Sequence, residues 1–192
     1  MVTTNDKELA DKARNLANFG ISTSYSREQS DSFSIPTFEN LGYNYKLSDI
    51  SAAVGIAQVK KIKTIINRKT LLAEYWDYLL ENYEYITAPF IEKFNVPNWQ
   101  GYTCLVDPII DRNKLILALK KNGVQTQIGT YSSCVQPVYN EKDNSCPISI
   151  DIYERSIRLP LFVDLTVHQI DLAFDIIKNT ITNLLLPKLG DI

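Results

Sequence analysis

The chain has 192 residues, a length that suits one large domain or a small domain joined to part of another. It is 45% hydrophobic and 22% charged, which is ordinary for a globular protein with an adequate core. The formal net charge is -2, with basic and acidic residues interspersed, so we expect no basic face for a nucleic acid. No stretch approaches the ~20 apolar residues that a membrane span needs, so we expect no membrane partner.

Cysteine and histidine usage argues against several kinds of site. Cys104, Cys134 and Cys146 are an odd number without a Cys-x-x-Cys pair, which disfavours a disulfide framework and a zinc site. The single histidine, His168, cannot form a metal cluster and is predicted to be a surface residue at a helix end. Because the N-terminus also lacks the apolar core of a signal peptide, we expect a reduced, cytoplasmic protein without a metal ion.

The N-terminal part is predicted to begin with a short strand end at residues 2–4 and a helix at residues 6–19. Asn5 and Glu8 have the spacing of a capping box, and apolar residues recur behind them at helical spacing until Gly20, a natural helix stop. Ser, Thr, Gln, Asn and Pro dominate residues 21–40. That composition predicts a long loop, and such loops are often functional.

The longest helical pattern of the chain runs from residue 49 to about residue 82, with Ser48 as its predicted N-cap. Its apolar row skips at residues 58–61. We therefore predict a bend or a break there, in a helix that links two packing units.

The C-terminal part is predicted to alternate strands and helices. The strands and extended segments cover residues 102–106, 124–128 and 158–162, and the helices cover residues 111–122, 151–156 and 167–185. Thr166 and Gln169 have the spacing of a capping box before the last helix. This order predicts an α+β layer in which helices pack on a small, mostly antiparallel sheet.

The approach to the long helix carries the most chemical information. Residues 41–55 place two tyrosines, the amide of Asn44 and the cation Lys46 next to a helix N-terminus. Unpaired N–H groups and the positive end of the helix dipole suit an anion such as phosphate, to which both side chains could add donors. The alternative is a well-capped junction in which the tyrosines only pack. The sequence contains no glycine-rich phosphate loop and no Gly-x-Ser-x-Gly elbow.

This segment resembles the signature of the DegT/StrS family of pyridoxal-phosphate-dependent sugar aminotransferases. The most specific block is residues 42–50 (GYNYKLSDI), followed by Ala52, Ala53, Gln58 and Arg68. Other pieces in the family's order are Arg14, Gly20, residues 123–126, Tyr131, and residues 137–139, 159–161 and 165–166. The match covers essentially the whole chain, and its co-linear order argues against chance.

The resemblance implies an α/β fold of the aspartate-aminotransferase type, fold type I of the pyridoxal-phosphate enzymes. This chain would be a C-terminal fragment of that fold. Residues 1–60 would be the tail of the large cofactor domain, residues 61–84 the continuation of a long linking helix, and residues 85–192 a small α+β domain. The intact enzyme would transfer an amino group from an amino acid, with glutamate as the expected donor, to a keto sugar attached to a nucleotide.

The resemblance also assigns roles to four residues. In the family, an Asn before the long helix reaches the cofactor phosphate of the partner subunit, and Asn44 matches it. The next basic residue is usually Arg but is Lys46 here, which keeps the charge and loses the planar hydrogen bonding of guanidinium. Tyr131 matches a Tyr near the nucleotide sugar, and Cys134 stands at the place of an expected His, without its charge or donor strength. Lys46, Tyr131 and Cys134 are thus the implied substrate-binding residues.

No catalytic residue is expected in this chain. Family members place the lysine that holds pyridoxal phosphate before a strand like residues 1–4, so we expect the chain neither to bind the cofactor covalently nor to transaminate alone. Its expected partner is a second copy in a homodimer or a separately encoded N-terminal half. Two alternatives stay open: a non-catalytic remnant that serves as a dimerisation or interaction module, and a free-standing small-molecule-binding domain of ferredoxin-like type.

Overall fold

The computed structural model describes residues 2–21, 37–38, 40–139 and 146–189. The chain forms two compact units, Met1–Lys60 and Lys61–Ile192. Its helices and strands, in chain order, are α1 (Lys7–Ala17), α2 (Asp49–Leu80), β1 (Ile86–Thr87), β2 (Tyr102–Val106), α3 (Arg112–Lys121), β3 (Gln127–Ile128), α4 (Pro147–Arg155), β4 (Ser156–Leu159) and α5 (Val167–Leu189). Two short 3₁₀ turns, Ser133–Val135 and Pro137–Tyr139, precede α4. None of the helices in these described ranges is long and apolar enough to span a membrane.

Helix α1 of the first unit is slightly shorter than predicted. Its N-cap is Asp6, whose Oδ1 accepts a hydrogen bond of 3.0 Å from the N–H of Leu9. The predicted cap at Asn5 is wrong, because Asp6 is an equally good cap residue and lies next to the first helical turn. The helix ends at Ala17, and a left-handed backbone at Gly20 (φ 77°) then turns the chain.

Residues 2–4 form no strand, contrary to the prediction. A strand needs a hydrogen-bonded neighbour, and no other described residue pairs with residues 2–4. Most of the predicted loop, residues 22–36 and 39, lies outside the described residues. At its edges, Ile21 and Phe38 form an isolated antiparallel bridge.

Helix α2 is continuous over 32 residues, so the predicted break at residues 58–61 is wrong. None of those residues is a proline or a glycine that would interrupt the ladder of backbone hydrogen bonds. Three of them are Gln or Lys, which are good helix formers, so the skip in the apolar row changes the polar face without ending the helix. Ser48 is the N-cap as predicted, because its Oγ accepts from the N–H of Ser51 at 3.3 Å.

The second unit contains a four-stranded sheet with the order β1-β2-β4-β3. Every pairing in it is antiparallel, which confirms the predicted type of sheet, and β2 has the predicted bounds. Strand β3 covers only the end of the predicted residues 124–128. Its neighbour β4 ends before Pro160, which has no N–H to continue the ladder.

The helices that flank β4 are set by their first residues. Helix α4 begins four residues earlier than predicted, because Pro147 has the fixed φ that suits the first helical turn. Helix α5 begins with the predicted capping box: the N–H of Thr166 donates to Oε1 of Gln169 at 3.0 Å, and the N–H of Gln169 donates to Oγ1 of Thr166 at 3.2 Å. His168 is exposed in this first turn. No group of three or more His, Cys, Asp or Glu side chains within the described ranges could hold a metal ion.

The hydrophobic core of the second unit lies on one face of the sheet. Tyr102, Cys104 and Val106 alternate into it, while the residues between them are only half-buried. Other fully buried members include Leu72, Trp76, Leu115, Leu119, Ile157, Ile170, Ile177 and Ile181. Each such side chain contributes roughly 1.5–3 kcal/mol on burial, so this core rigidly positions the strand ends that carry the loops described next.

Candidate functional site

The segment that carries Asn44 is fastened to the end of helix α1 by backbone hydrogen bonds. The N–H of Tyr43 donates to the carbonyl of Leu16 at 2.6 Å, and the N–H of Tyr45 donates to the carbonyl of Ala17 at 3.0 Å. Carbonyls in the last turn of a helix have no partner inside the helix, so they are available for such bonds. The end of α1 therefore determines where the Asn44 backbone lies.

Close contact between this segment and the turn after α1 requires glycine at two positions. The N–H of Phe19 donates to the carbonyl of Tyr43 at 3.0 Å. A Cβ added to Gly42 would lie 2.1 Å from the backbone nitrogen of Gly20, and one added to Gly20 would lie 1.8 Å from the carbonyl oxygen of Asn40. Both contacts involve backbone atoms, which cannot move aside as a flexible side chain can. The glycine of the GYN block is thus explained by packing of backbone on backbone.

A buried amide on α1 supports the same turn. Asn15 is almost fully buried, and its Nδ2 donates to the carbonyl of Ile21 at 2.7 Å. Its Oδ1 accepts from Nδ2 of Asn40 at 3.0 Å. Buried amides are retained where their hydrogen bonds are satisfied, so Asn15 connects the first residue of the predicted loop with the last.

The side chains of residues 43–46 differ in their contacts. The rings of Tyr43 and Tyr45 stack with centroids 5.1 Å apart and an interplanar angle of 4°. Asn44 and Lys46 alternate with these tyrosines in the sequence. Both are exposed, and Nζ of Lys46 lies 4.4 Å from the centroid of the Phe19 ring, a cation–π contact.

An exposed amide and an exposed ammonium on a fixed backbone suit an oxyanion. The amide N–H groups of Asn44 are neutral donors, and the ammonium of Lys46 offers three donors and a full positive charge. The ring of Phe19 under the ammonium restrains the lysine side chain, so less conformational entropy is lost when an anion binds. These two residues fit the phosphate group of pyridoxal phosphate, and they provide nothing that would hold its ring.

The loop that carries Tyr131 is anchored on Ser156, the first residue of β4. The N–H of Gly129 donates to the carbonyl of Ser156 at 3.2 Å, and the N–H of Thr130 donates to its Oγ at 3.1 Å. A Cβ on Gly129 would lie 2.4 Å from Cγ2 of Thr103, so only glycine lets the loop leave the sheet here. The position of Tyr131 is therefore set by the sheet.

The Tyr131 side chain borders a cavity. It is 70% exposed and lines a space of about 760 Å³, together with Arg158 of β4. Nη2 of Arg158 donates to the carbonyl of Gly129 at 3.3 Å. An aromatic ring near a guanidinium suits a ligand that combines a planar ring with an anionic group.

Cys134 lies in the turn Ser133–Val135 of the same loop, and its side chain is half-buried. It forms a hydrogen bond with the side chain of Cys146, the N-cap of α4. This bond is the main cause of the raised pKa of the Cys134 thiol, with burial second. The thiol is therefore protonated at neutral pH and is directed toward another side chain of the protein.

The four residues that the sequence indicates fall into two groups, one in each unit. Asn44 and Lys46 lie together in the first unit, and Tyr131 and Cys134 share one loop of the second. The two residues of each pair are at most three positions apart in the chain, so proximity within a pair follows from sequence alone.

Sequence reasoning missed Arg112. This side chain is only 5% exposed, and its Nη1 donates to the carbonyl of Ser156 at 2.8 Å. Its guanidinium carbon lies 5.6 Å from the centroid of the Tyr153 ring. Arg112 thus fixes the residue that anchors the Tyr131 loop. In the sequence it is a basic residue in a first helical turn, where an exposed position is the ordinary expectation.

Comparison with known proteins gives a family for this chain. The model of the DegT/DnrJ/EryC1/StrS aminotransferase family matches residues 1–178. The uncharacterized protein MJ1066 of Methanocaldococcus jannaschii is 32% identical over 174 residues, which cover 86% of this chain and 45% of that protein. GDP-perosamine synthase of Escherichia coli O157:H7 is 26% identical over 170 residues, which cover 88% of this chain and 44% of that protein. The chain therefore spans less than half the length of these relatives.

A solved structure gives the same fold. PseC of Helicobacter pylori, an aminotransferase involved in the biosynthesis of pseudoaminic acid, matches with a TM-score of 0.79 at 21% identity, over 92% of this chain and 47% of PseC. This likeness confirms the predicted α/β aminotransferase fold with its antiparallel sheet. Since the family model matches nearly all of the sequence as well, the chain belongs to the DegT/DnrJ/EryC1/StrS aminotransferase family.

Proposed function

We propose that this chain supplies a phosphate-binding segment and a sugar-binding loop to a pyridoxal-phosphate-dependent nucleotide-sugar aminotransferase of the cytoplasm. The observation that carries the proposal is the fixed, exposed presentation of Asn44 and Lys46 within the block that matches the family's signature. The first unit would be part of the cofactor domain, and the second unit the small domain. The complete enzyme would move an amino group from glutamate to a keto sugar attached to a nucleotide.

Asn44 is assigned to the cofactor phosphate, and Lys46 to an anionic group of the substrate or to the same phosphate. The amide of Asn44 would donate a hydrogen bond to a phosphate oxygen, and the ammonium of Lys46 would neutralise part of the charge of the anion beside it. A lysine acts as a point charge, so it tolerates a phosphate or a nearby anionic substrate group in several orientations. When bound, pyridoxal phosphate supplies the electron sink for amino transfer.

Tyr131 and Arg158 are assigned to the nucleotide sugar. The relative GDP-perosamine synthase has a nucleoside diphosphate in its name, and the cavity beside Tyr131 offers the matching chemistry. Arg158 would bind a phosphate oxygen, and the exposed ring of Tyr131 would pack on a base or a sugar ring. Cys134 adds no charge at this place, so recognition there depends on shape more than on electrostatics.

Phosphate-selective binding to the 192-residue chain tests this assignment. Pyridoxal phosphate and pyridoxal differ only in the phosphate, so they are a matched pair of ligands. We expect the backbone amide signals of Tyr45 and Lys46 in a nitrogen-15 NMR spectrum to shift saturably with pyridoxal phosphate and with inorganic phosphate, and not with pyridoxal.

Three variants separate the roles of the side chains in that titration. Asn44→Ala should abolish the saturable shift, while the exposed control Asn82→Ala should retain it. Lys46→Arg should bind at least as well as the wild type, because the charge is kept and two parallel hydrogen bonds become possible. Equal shifts with pyridoxal, or an unchanged response of Asn44→Ala, would contradict the phosphate-binding role.

The proposed partner is a second copy of this chain. Five large apolar residues in the first half of α2 are exposed, among them Ile50 at 81%. The others are Val54, Ile56, Val59 and Ile62. Exposed apolar surface of this kind marks an interaction site, because leaving it in water is unfavourable.

Sedimentation velocity tests the partner. The wild-type chain should self-associate, and the double variant Ile50→Ser, Val54→Ser should shift toward the monomer. Leu117→Ser on α3 removes an apolar side chain of comparable exposure, 62%, and should leave association unchanged. A monomeric wild type would favour a separately encoded N-terminal half as the partner.

The exposed face of α2 also favours a second candidate function, a non-catalytic interaction module. This candidate predicts the same self-association without any response of Tyr45 and Lys46 to phosphate. The two experiments together therefore distinguish it from the aminotransferase assignment.

A further inference from the structure

Cys134 and Cys146 form a pair of thiols that joins two elements of the second unit. Cys134 lies in the 3₁₀ turn of the Tyr131 loop, and Cys146 is the N-cap of α4. Their side chains are joined by a hydrogen bond, and neither is part of a disulfide. Both are half-buried, so a small oxidant can reach them. The third cysteine, Cys104, is 1% exposed in the hydrophobic core.

The two cysteines are held close by contacts that do not depend on the thiols. Oγ of Ser149, on α4, donates to Oγ of Ser132 at 3.0 Å. Ser132 is fully buried directly before the turn, and Nε2 of Gln136 donates to its carbonyl at 3.0 Å. The first bond joins α4 to the residue before the turn, and the second bond closes the turn around Cys134.

We propose that Cys134 and Cys146 are an oxidation site, at which a peroxide converts the two thiols into an intramolecular disulfide. In the first step, one thiolate sulfur attacks a peroxide oxygen, the O–O bond breaks, and the departing oxygen leaves as water after protonation, which produces a sulfenic acid. In the second step, the other thiol sulfur attacks the sulfenic sulfur, the S–O bond breaks, and a second water leaves. Both sulfurs are oxidised, and one molecule of hydrogen peroxide is reduced to two molecules of water.

Either thiol of the pair can take the first step. The thiolate, not the thiol, is the nucleophile. Whichever sulfur is oxidised first, the hydrogen bond between the two side chains holds the other sulfur within reach of the sulfenic acid.

The disulfide would connect the Tyr131 loop covalently to α4. Tyr131 precedes Cys134 by three residues, so the oxidised and reduced states differ in the freedom of the loop that borders the cavity. A thiol reductant reverses the reaction, which is the behaviour of redox-sensing disulfides in reducing compartments. The oxidation chemistry itself does not depend on the proposed aminotransferase function.

Non-reducing peptide mass spectrometry of the full chain tests the proposal. Dilute protein is treated with hydrogen peroxide, remaining thiols are blocked with a maleimide, and the digest is analysed with and without reduction. We expect one linked pair of peptides that contains Cys134 and Cys146, with Cys104 still blocked by maleimide. Dithiothreitol should restore both thiols.

Variants test whether both cysteines are needed. Cys134→Ser should accumulate a sulfenic acid at Cys146, and Cys146→Ser one at Cys134, and dimedone should label both, because neither variant has a second thiol that forms the disulfide. Cys104→Ala should form the same disulfide as the wild type. Independent oxidation of both cysteines to sulfinic acids, disulfides that join two chains at high dilution, or disulfide formation only in denaturant would overturn the proposal.

Discussion

Replacing Gly42 by Ala tests whether the Asn44 segment is held in place by contact between backbones. The added Cβ would lie 2.1 Å from the backbone nitrogen of Gly20 and 2.3 Å from the carbonyl carbon of Phe19. Since these atoms cannot rotate away, the segment must move off the end of α1. The matched control is Gly55→Ala in α2, where the added Cβ meets nothing within 4 Å.

The size of the effect follows from the hydrogen bonds that the displacement breaks. Three backbone bonds depend on the close approach: those from Tyr43 to Leu16, from Tyr45 to Ala17, and from Phe19 to Tyr43. At about 0.5–1.5 kcal/mol net for each bond, their loss destabilises the local structure by roughly 1.5–4.5 kcal/mol. One factor of ten corresponds to about 1.4 kcal/mol, so the opening equilibrium increases roughly 10- to 1,500-fold.

Amide hydrogen exchange at Tyr43 and Tyr45 measures that opening equilibrium directly. Both amides should exchange faster in Gly42→Ala by the factor given above, while α3 and α5 keep their protection. Gly55→Ala should leave the two amides unchanged and stabilise α2 by about 0.5–1 kcal/mol, because alanine loses less backbone entropy than glycine. Unaltered exchange in Gly42→Ala, or equal acceleration in both variants, would refute the proposed backbone contact.

Three other predictions concern cofactor binding, pH dependence and the core. Treatment with pyridoxal phosphate and borohydride should leave no single lysine of the chain stoichiometrically modified in peptide mass spectra; one fully modified lysine would contradict the proposal that this chain does not hold the cofactor covalently. Burial raises the pKa of Tyr83 to about 12 from an ordinary 10.0, and that of Cys104 to about 12 from 9.0. Because these folded-state pKa values lie above the unfolded ones, the stability that the two groups contribute is complete below pH 9 and is lost as the pH rises toward 12. The urea concentration at the unfolding midpoint should therefore fall over that range, and it should fall less steeply in Tyr83→Phe. Leu115→Ala in the core should cost about 2–5 kcal/mol by urea denaturation, whereas Leu117→Ala two positions away on the exposed face should change stability by less than about 0.5 kcal/mol.

Elements with strong local signals could be predicted from the sequence. The predicted first residues of β2 and α5 agree with the observed ones, and the Thr166–Gln169 capping box sets the start of α5. The sequence predicts a longer β3 than the structure shows, because Pro160 ends the neighbouring strand β4, which β3 meets only in the folded chain. The start of α4 at Pro147 could not be predicted, because a proline can begin a helix as well as end one.

The sequence indicates which residues to assign to the candidate site, but not how the folded chain holds them in place. The GYN block indicates Asn44 and Lys46, whereas the contact that fixes them joins Gly42 to Gly20, a residue 22 positions earlier in the chain. Arg112 could not be found for a similar reason. Its role depends on the carbonyl of Ser156, and the sequence has no local mark of a bond between residues so far apart.

Helix α2 shows why an apolar pattern alone does not say what covers it. In its second half, Leu72 and Trp76 are fully buried, and Nε1 of Trp76 donates to the carbonyl of Pro160 at 3.0 Å, so that half is part of a folded core. In its first half, Ile50 and Val54 have the same helical spacing and are exposed. The difference lies in the presence of a packing partner, since the helix itself is continuous.

Ile50 follows Asn44 by six residues in the same unit, so a second copy that covers Ile50 would also bring its own groups near Asn44. Self-association through α2 and phosphate binding at Asn44 are therefore expected to be coupled, and Ile50→Ser, Val54→Ser should weaken the response of Tyr45 and Lys46 to pyridoxal phosphate although neither substituted residue is assigned to the phosphate.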